Sequence, residues 1–194
     1  MISNRLSRWT LLFFACALGN FLAAQALILG GWTWPRQPLW AAGTLIAVHL
    51  LTVGWLLLLM LGALFQFVPV ITSRPLLSQR LSLATLLTVQ TGLLGMIAGF
   101  LGITGEAPGL AVALPAGGAT VILGALIACL NIGKPLLRAR PLPLPGRMVL
   151  TGLAFLLLTV ALGVSFALAL TVPALAPHLA PLLAAVADHA LGGL

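Results

Sequence analysis

Side chains able to do chemistry are few in this sequence, which has only three histidines and two acidic residues. His49 opens the apolar stretch "HLLTVGWLLLLMLGALFQFVP", and His189 directly follows Asp188 in "DHALGGL". An imidazole within a long apolar run is costly unless it is hydrogen-bonded or binds a metal. The candidate chemistry is therefore metal ligation, proton transfer or a hydrogen bond between helices.

The elements that carry these residues are predicted to be membrane helices. Of the 194 residues, 61% are hydrophobic and 6% are charged, whereas soluble domains carry roughly 25% charged residues. Because backbone groups in lipid must satisfy one another, the composition predicts an all-α membrane protein, a polytopic helical bundle in contact with the lipid bilayer. We expect one transmembrane domain over residues 1–194. No nucleotide-binding motif of a soluble enzyme is present.

Apolar runs of about 20 residues are long enough to cross a bilayer, and they recur along the chain. They predict five full spans and a partial sixth, over about residues 9–29, 39–70, 81–103, 114–132, 148–172 and 178–194. The first run is too long for a signal-peptide core of about 7–15 residues, so we expect it to be retained as a helix.

The net charge of +7 is explained by topology, and we expect no nucleic-acid partner. Of the nine basic residues, eight lie before span 1, between spans 2 and 3, or between spans 4 and 5. They are Arg5, Arg8, Arg74, Arg80, Lys134, Arg138, Arg140 and Arg147. The positive-inside rule then predicts a cytoplasmic N-terminus. We separately expect the membrane to be a bacterial inner membrane.

The two histidines in apolar segments occupy corresponding positions. His49 lies about ten residues into span 2, roughly 15 Å below the outer boundary. His189 stands at the same distance into the last segment, and "LWAAGTLIAVH" is similar to "LAPLLAAVADH". This similarity predicts an internal repeat whose second copy is truncated.

Helical geometry at 100° per residue divides span 2 into two faces. Residues on the side of His49 are Ala42, Leu45, Leu56 and Met60. Gly54 and Gly62 lie on the opposite side, where a neighbouring helix can approach closely. An imidazole within an aliphatic wall suits an axial ligand of haem iron, and His189 is the candidate for a second axial ligand. A hydrogen bond from His49 to a backbone carbonyl or threonine is the alternative. Asp188 is expected to orient His189, to carry protons, or to be a terminal residue without a role.

Other polar side chains within the spans predict packing. Five amides are expected to form hydrogen bonds between helices: Asn20, Gln25, Gln66, Gln90 and Asn131. Cys16 and Cys129 are isolated in separate spans and form no metal-binding motif.

The spacing in span 2 resembles a known family. His49 is followed by Gly54 at +5, Trp55 at +6, Gly62 at +13 and Val68-Pro69 at +19 and +20. This pattern is similar to the second-helix signature of the NnrS family, membrane proteins related to subunit I of the haem–copper oxidases. The match covers about 30 residues, with a weaker similarity in "DHALGGL". The resemblance implies that His49 is an axial haem b ligand and that His189 is a haem or copper ligand.

The sequence also departs from the oxidase pattern. The glycines after His189 fall at +3 and +4, no His-His pair occurs, and there are no tyrosines. The copper-binding half of an oxidase site is therefore missing, and no catalytic residue is assigned. The expected roles are electron transfer, nitric-oxide stress or metal handling.

Two other functions fit the same sequence. The chain is expected alternatively to conduct protons or solutes along a path that includes His49 and Asp188. The third expectation is that the chain is a structural or assembly subunit that binds no cofactor. Because a complete repeat would need about eight helices, we expect either that this sequence is a fragment or that a second copy or another membrane subunit is a partner.

Overall fold

A computed structural model describes residues 7–179, 181, 184 and 185. Five helices in this part of the chain are long and apolar enough to cross a bilayer. They are α1 (Arg8–Leu29), α2 (Ala42–Thr72), α3 (Gln79–Ile103), α4 (Ala113–Arg138) and α5 (Leu144–Thr171). The predicted all-helical membrane bundle is confirmed, and the partial sixth span lies mostly outside the described residues.

The helix boundaries differ from the sequence prediction at prolines. We expected span 2 to end beside Pro69 and span 4 to end before Pro135, but both prolines lie inside their helices. The helix α4 continues because Ile132 and Leu136, which are completely buried, hold this turn against the core. Proline is tolerated in membrane helices where such packing supports the backbone.

Helix α2 changes its hydrogen-bonding pattern within the span. It is α-helical over Ala42–His49, π-helical over Leu50–Leu57 and α-helical again over Leu58–Thr72. A π-helix joins each N–H to the carbonyl five residues earlier and is often found at functional sites. His49 is therefore the last residue before the geometry changes.

Glycines allow several helices to approach one another closely. The pair α3–α4 has the most extensive interface of the bundle. A Cβ on Gly92 would lie 2.8 Å from the carbonyl oxygen of Gly117, so the two backbones nearly touch. On α2, a Cβ on Gly54 would meet Asn20, and one on Gly62 would meet Phe13, both of α1. The predicted close approach on the glycine face of α2 is confirmed.

Amide side chains join the helices at several depths. Four of the five predicted amides bond across helices. Asn20 of α1 donates to the Gly54 carbonyl at 3.0 Å, and its amide pairs reciprocally with Gln90 of α3 at 2.9 and 3.2 Å. Asn131 of α4 accepts from the Ser78 N–H at 3.0 Å. The prediction is wrong for Gln25, whose side chain has no hydrogen bond within the described part.

Charged residues are segregated between the two ends of the bundle. Seven exposed cations, here named the basic face, lie at the end where α1 and α3 begin. They are Arg8, Arg74, Arg80, Lys134, Arg138, Arg140 and Arg147. Arg36 and Glu106 lie in the connections at the opposite end. The predicted groups of basic residues between spans 2 and 3 and between spans 4 and 5 are thus fully described. Arg5, which belongs to the group before span 1, lies outside the described residues.

Candidate functional site

His49 is fixed by its own helix. Its Nδ1 lies 2.8 Å from the carbonyl oxygen of Leu45, one turn earlier. Because a carbonyl oxygen only accepts hydrogen bonds, Nδ1 carries the proton and donates it. In the neutral ring, Nε2 then keeps its lone pair. This is the arrangement that metal-binding histidines commonly show, with one ring nitrogen oriented by a backbone carbonyl.

Phe100 of α3 supports the imidazole from one side. The two ring centroids are 4.6 Å apart, and the ring planes are inclined by 47°. Aromatic pairs in such tilted contacts contribute about 0.5–1.5 kcal/mol beyond burial. The imidazole is therefore positioned both by Leu45 and by a neighbouring helix.

A large cavity adjoins His49. Its volume is about 510 Å³, within the range of about 300–1,000 Å³ typical of ligand sites. Helices α2, α3, α4 and α5 all contribute to it. The lining residues are Leu45, His49, Thr52, Val53, Leu57, Met96, Phe100, Ile103, Leu114, Gly118, Val121, Leu156, Thr159, Val160, Gly163, Val164, Phe166, Ala167 and Leu170.

The lining is almost wholly apolar. Thr52 donates its hydroxyl proton to the Val48 carbonyl at 2.8 Å, and Thr159 donates to the Phe155 carbonyl at the same distance. Both hydroxyl protons are thus occupied within their own helices, as is common for threonine in apolar surroundings. Nε2 of His49 has no hydrogen bond within the described residues and is not enclosed, so it is the free polar atom of this lining.

One side of the cavity is open at the lipid-facing surface of the bundle. Thr52 on α2 and Thr159 and Gly163 on α5 line the cavity and are themselves exposed. Helix α5 packs mainly against α4 and only slightly against the last part of α2. The gap between α2 and α5 is therefore not closed by any other described residue.

The predicted face around His49 is partly wrong. Leu45 lines the cavity with His49 as expected. Leu56 and Met60 are instead 44% and 61% exposed, on the outside of the bundle. The prediction assumed 100° per residue throughout, but the π-helical residues turn less per residue. The angular error accumulates over these eight residues.

The remaining predicted site residues lie elsewhere in the chain. His189 and Asp188 are outside the described residues, so their pairing with His49 stays a prediction. Gly54 and Gly62 contact α1 and do not line the cavity. Among the residues that the structure covers, no three His, Cys, Asp or Glu side chains form a group that could hold a metal ion.

The sequence prediction missed the side of the cavity opposite α2. Phe100, Gly118 and Gly163 come from three further helices. One available signal was the spacing of four glycines on α3, which places small residues on one face of the helix. They are Gly92, Gly95, Gly99 and Gly102. That signal would have predicted the α3–α4 pair, but not how α5 packs against it.

Comparison of the chain with protein-family models, with curated proteins and with solved structures gives no match.

Proposed function

We propose that this membrane protein binds haem b, with Nε2 of His49 as an axial ligand of the iron. The observation that carries the proposal is the oriented imidazole beside the cavity of about 510 Å³. A haem that is ligated by histidine needs a fixed, neutral nitrogen donor next to an apolar space. The resemblance of residues 49–69 to the NnrS family supports the same assignment.

The residues around the cavity fit haem in three respects. Leu45 holds the tautomer that leaves Nε2 available, and Phe100 limits rotation of the imidazole. Gly163, at which a Cβ would meet no atom within 4 Å, leaves room on the α5 side. Apolar lining excludes water from the ligand. No cation lies among the described lining residues, so the propionates of haem are expected to reach toward the polar end of the bundle near Ile103 and Leu170.

Bound haem would supply a one-electron iron couple within the bilayer. The expected role is electron transfer or a response to nitric oxide or metals. Following the positive-inside rule, we further propose that the basic face is cytoplasmic, in a bacterial inner membrane. His49 then lies seven residues after the start of α2 at Ala42, about 10 Å below the outer boundary.

The test is haem titration of the purified full chain, followed by its absorption spectrum. Wild-type protein is expected to take up about one haem per cavity and to show a Soret band. His49→Ala should lower the haem affinity at least tenfold, about 1.4 kcal/mol. His178→Ala is the matched histidine control, because His178 is exposed and lies after α5.

A second pair of variants tests the cavity itself. Gly163 and Gly152 are both exposed glycines of α5 at which a Cβ would meet no atom within 4 Å. Only Gly163 lines the cavity. Gly163→Leu should therefore weaken haem uptake, whereas Gly152→Leu should not. Folded wild-type protein that stays colourless with ample haem would contradict the proposal. If this colourless protein conducted protons across liposome membranes, the alternative function of proton or solute conduction would be favoured instead.

A further inference from the structure

Two hydrogen bonds join α1, α3 and α4 close to the basic face. The indole N–H of Trp9 on α1 donates to the Gln79 side-chain oxygen of α3 at 3.0 Å. The neighbouring residue, Ser78, donates its backbone N–H to the side-chain oxygen of Asn131 on α4 at 3.0 Å. Residues 78–79 are therefore held between α1 and α4. We name this place the α1–α3–α4 junction.

Three exposed cations stand beside the residues of this junction along the chain, one on each helix. Arg8 stacks over the Trp9 ring, with its guanidinium carbon 4.7 Å from the ring centroid. Arg80 directly follows Gln79, and Lys134 lies one helical turn beyond Asn131. None of the described residues at this end of the bundle is acidic, so the three charges are not neutralised by an ion pair there.

We propose that the α1–α3–α4 junction binds the phosphate group of an anionic phospholipid. Arg8 and Arg80 lie in the first turns of α1 and α3, and Lys134 lies about one turn before the end of α4. The α2–α3 connection comprises only residues 73–78, so we expect these side chains to reach the level of the lipid headgroups. Trp9 has the amphipathic ring that favours the membrane boundary. Cations at such a position are each attracted to anionic lipid surfaces. This inference does not depend on haem binding.

A lipid is favoured over an acidic protein partner because of where the charges lie. Arg8 and Arg80 are within the first turn of membrane-spanning helices, and the ammonium of Lys134 extends from a long aliphatic side chain. Such side chains cover apolar surface while the charge reaches the headgroup layer. In a bilayer, a soluble acidic protein would need to displace the lipid headgroups that we expect around these positions.

The experiment measures lipids retained by the purified full chain in native mass spectra. The probes are phosphatidylglycerol and cardiolipin, compared with zwitterionic phosphatidylcholine. The junction variant carries Arg8→Gln, Arg80→Gln and Lys134→Gln. The matched control removes the same number of charges from the same face with Arg74→Gln, Arg138→Gln and Arg140→Gln. Wild type and control are expected to retain anionic lipid, and the junction variant should bind it at least roughly tenfold more weakly.

Several outcomes would overturn the proposal. Equal losses of anionic-lipid binding in both triple variants would show that the whole basic face attracts anionic lipid and that the junction is not a specific site. Displacement by inorganic phosphate at low concentration would indicate a free-phosphate site, and binding of acidic protein without a lipid preference would indicate a protein interface. If the triple variant does not fold, Arg80→Gln alone is compared with Arg74→Gln. Equal lipid retention by these two would also contradict the proposal.

Discussion

The amide pair between Asn20 and Gln90 allows a quantitative prediction. The side chain of Asn20 takes part in three hydrogen bonds, one to the Gly54 carbonyl and two with Gln90. Hydrogen bonds between membrane helices average about 0.6 kcal/mol each. We therefore expect Asn20→Ala to lower the free energy of unfolding by about 2 kcal/mol. Gln90→Ala should lower it by only about 1 kcal/mol, because the bond to Gly54 remains.

The double variant separates the two contributions. When Asn20 is already alanine, Gln90→Ala removes no further bond, so the double variant should be no less stable than Asn20→Ala alone. The coupling energy of the cycle is then about 1 kcal/mol, which corresponds to the two bonds of the amide pair. Denaturation by sodium dodecyl sulfate in mixed micelles, followed by circular dichroism, measures all four corners of the cycle.

A control residue lies on the same helix. Gln25 is an amide of α1 without a side-chain hydrogen bond in the described part of the chain, so Gln25→Ala should leave the free energy of unfolding nearly unchanged. Strictly additive losses for Asn20→Ala and Gln90→Ala would refute the reasoning. They would show that these amides do not stabilise the bundle through each other.

Two further predictions concern packing and the site. Gly99→Ala should destabilise the protein by at least about 2 kcal/mol, because its Cβ would overlap the backbone of Leu114. The control is Gly152→Ala, because a Cβ at Gly152 would meet no atom within 4 Å. It should have no such effect in the same denaturation assay. Phe100→Leu keeps the lining apolar but removes the ring beside His49. If haem binds as proposed, its affinity should fall by up to roughly tenfold, and an unchanged affinity would show that the ring does not position the imidazole.

The order and extent of the helices could be predicted from the sequence because lipid leaves few alternatives. Apolar runs of sufficient length must be helical, and the five described spans agree with the prediction to within a few residues at most ends. The largest difference is at Pro135, where α4 continues to Arg138. Here the tertiary burial of Leu136 decided the boundary, and a single sequence does not show which side of a helix will be buried.

The site was less predictable than the fold. The unusual position of His49 was evident from its type and its surroundings. Its cavity was not, because the lining depends on how α5 packs beside α2. The π-helical segment after His49 contains no proline, and Gly54 is its one glycine, so no familiar sequence signal marks it. The predicted repeat and the role of His189 concern residues outside the described part and stay predictions.

The opening between α2 and α5 has a consequence for how any ligand would be supplied. The exposed lining residues Thr52, Thr159 and Gly163 belong to helices that are long and apolar enough to span a membrane, so we expect a ligand to arrive from the hydrocarbon phase. Occupancy is then governed by the mole fraction of the ligand dissolved in the bilayer, and its concentration in water matters only through partitioning. Diluting the protein with additional lipid should empty the cavity even when the buffer composition is held constant.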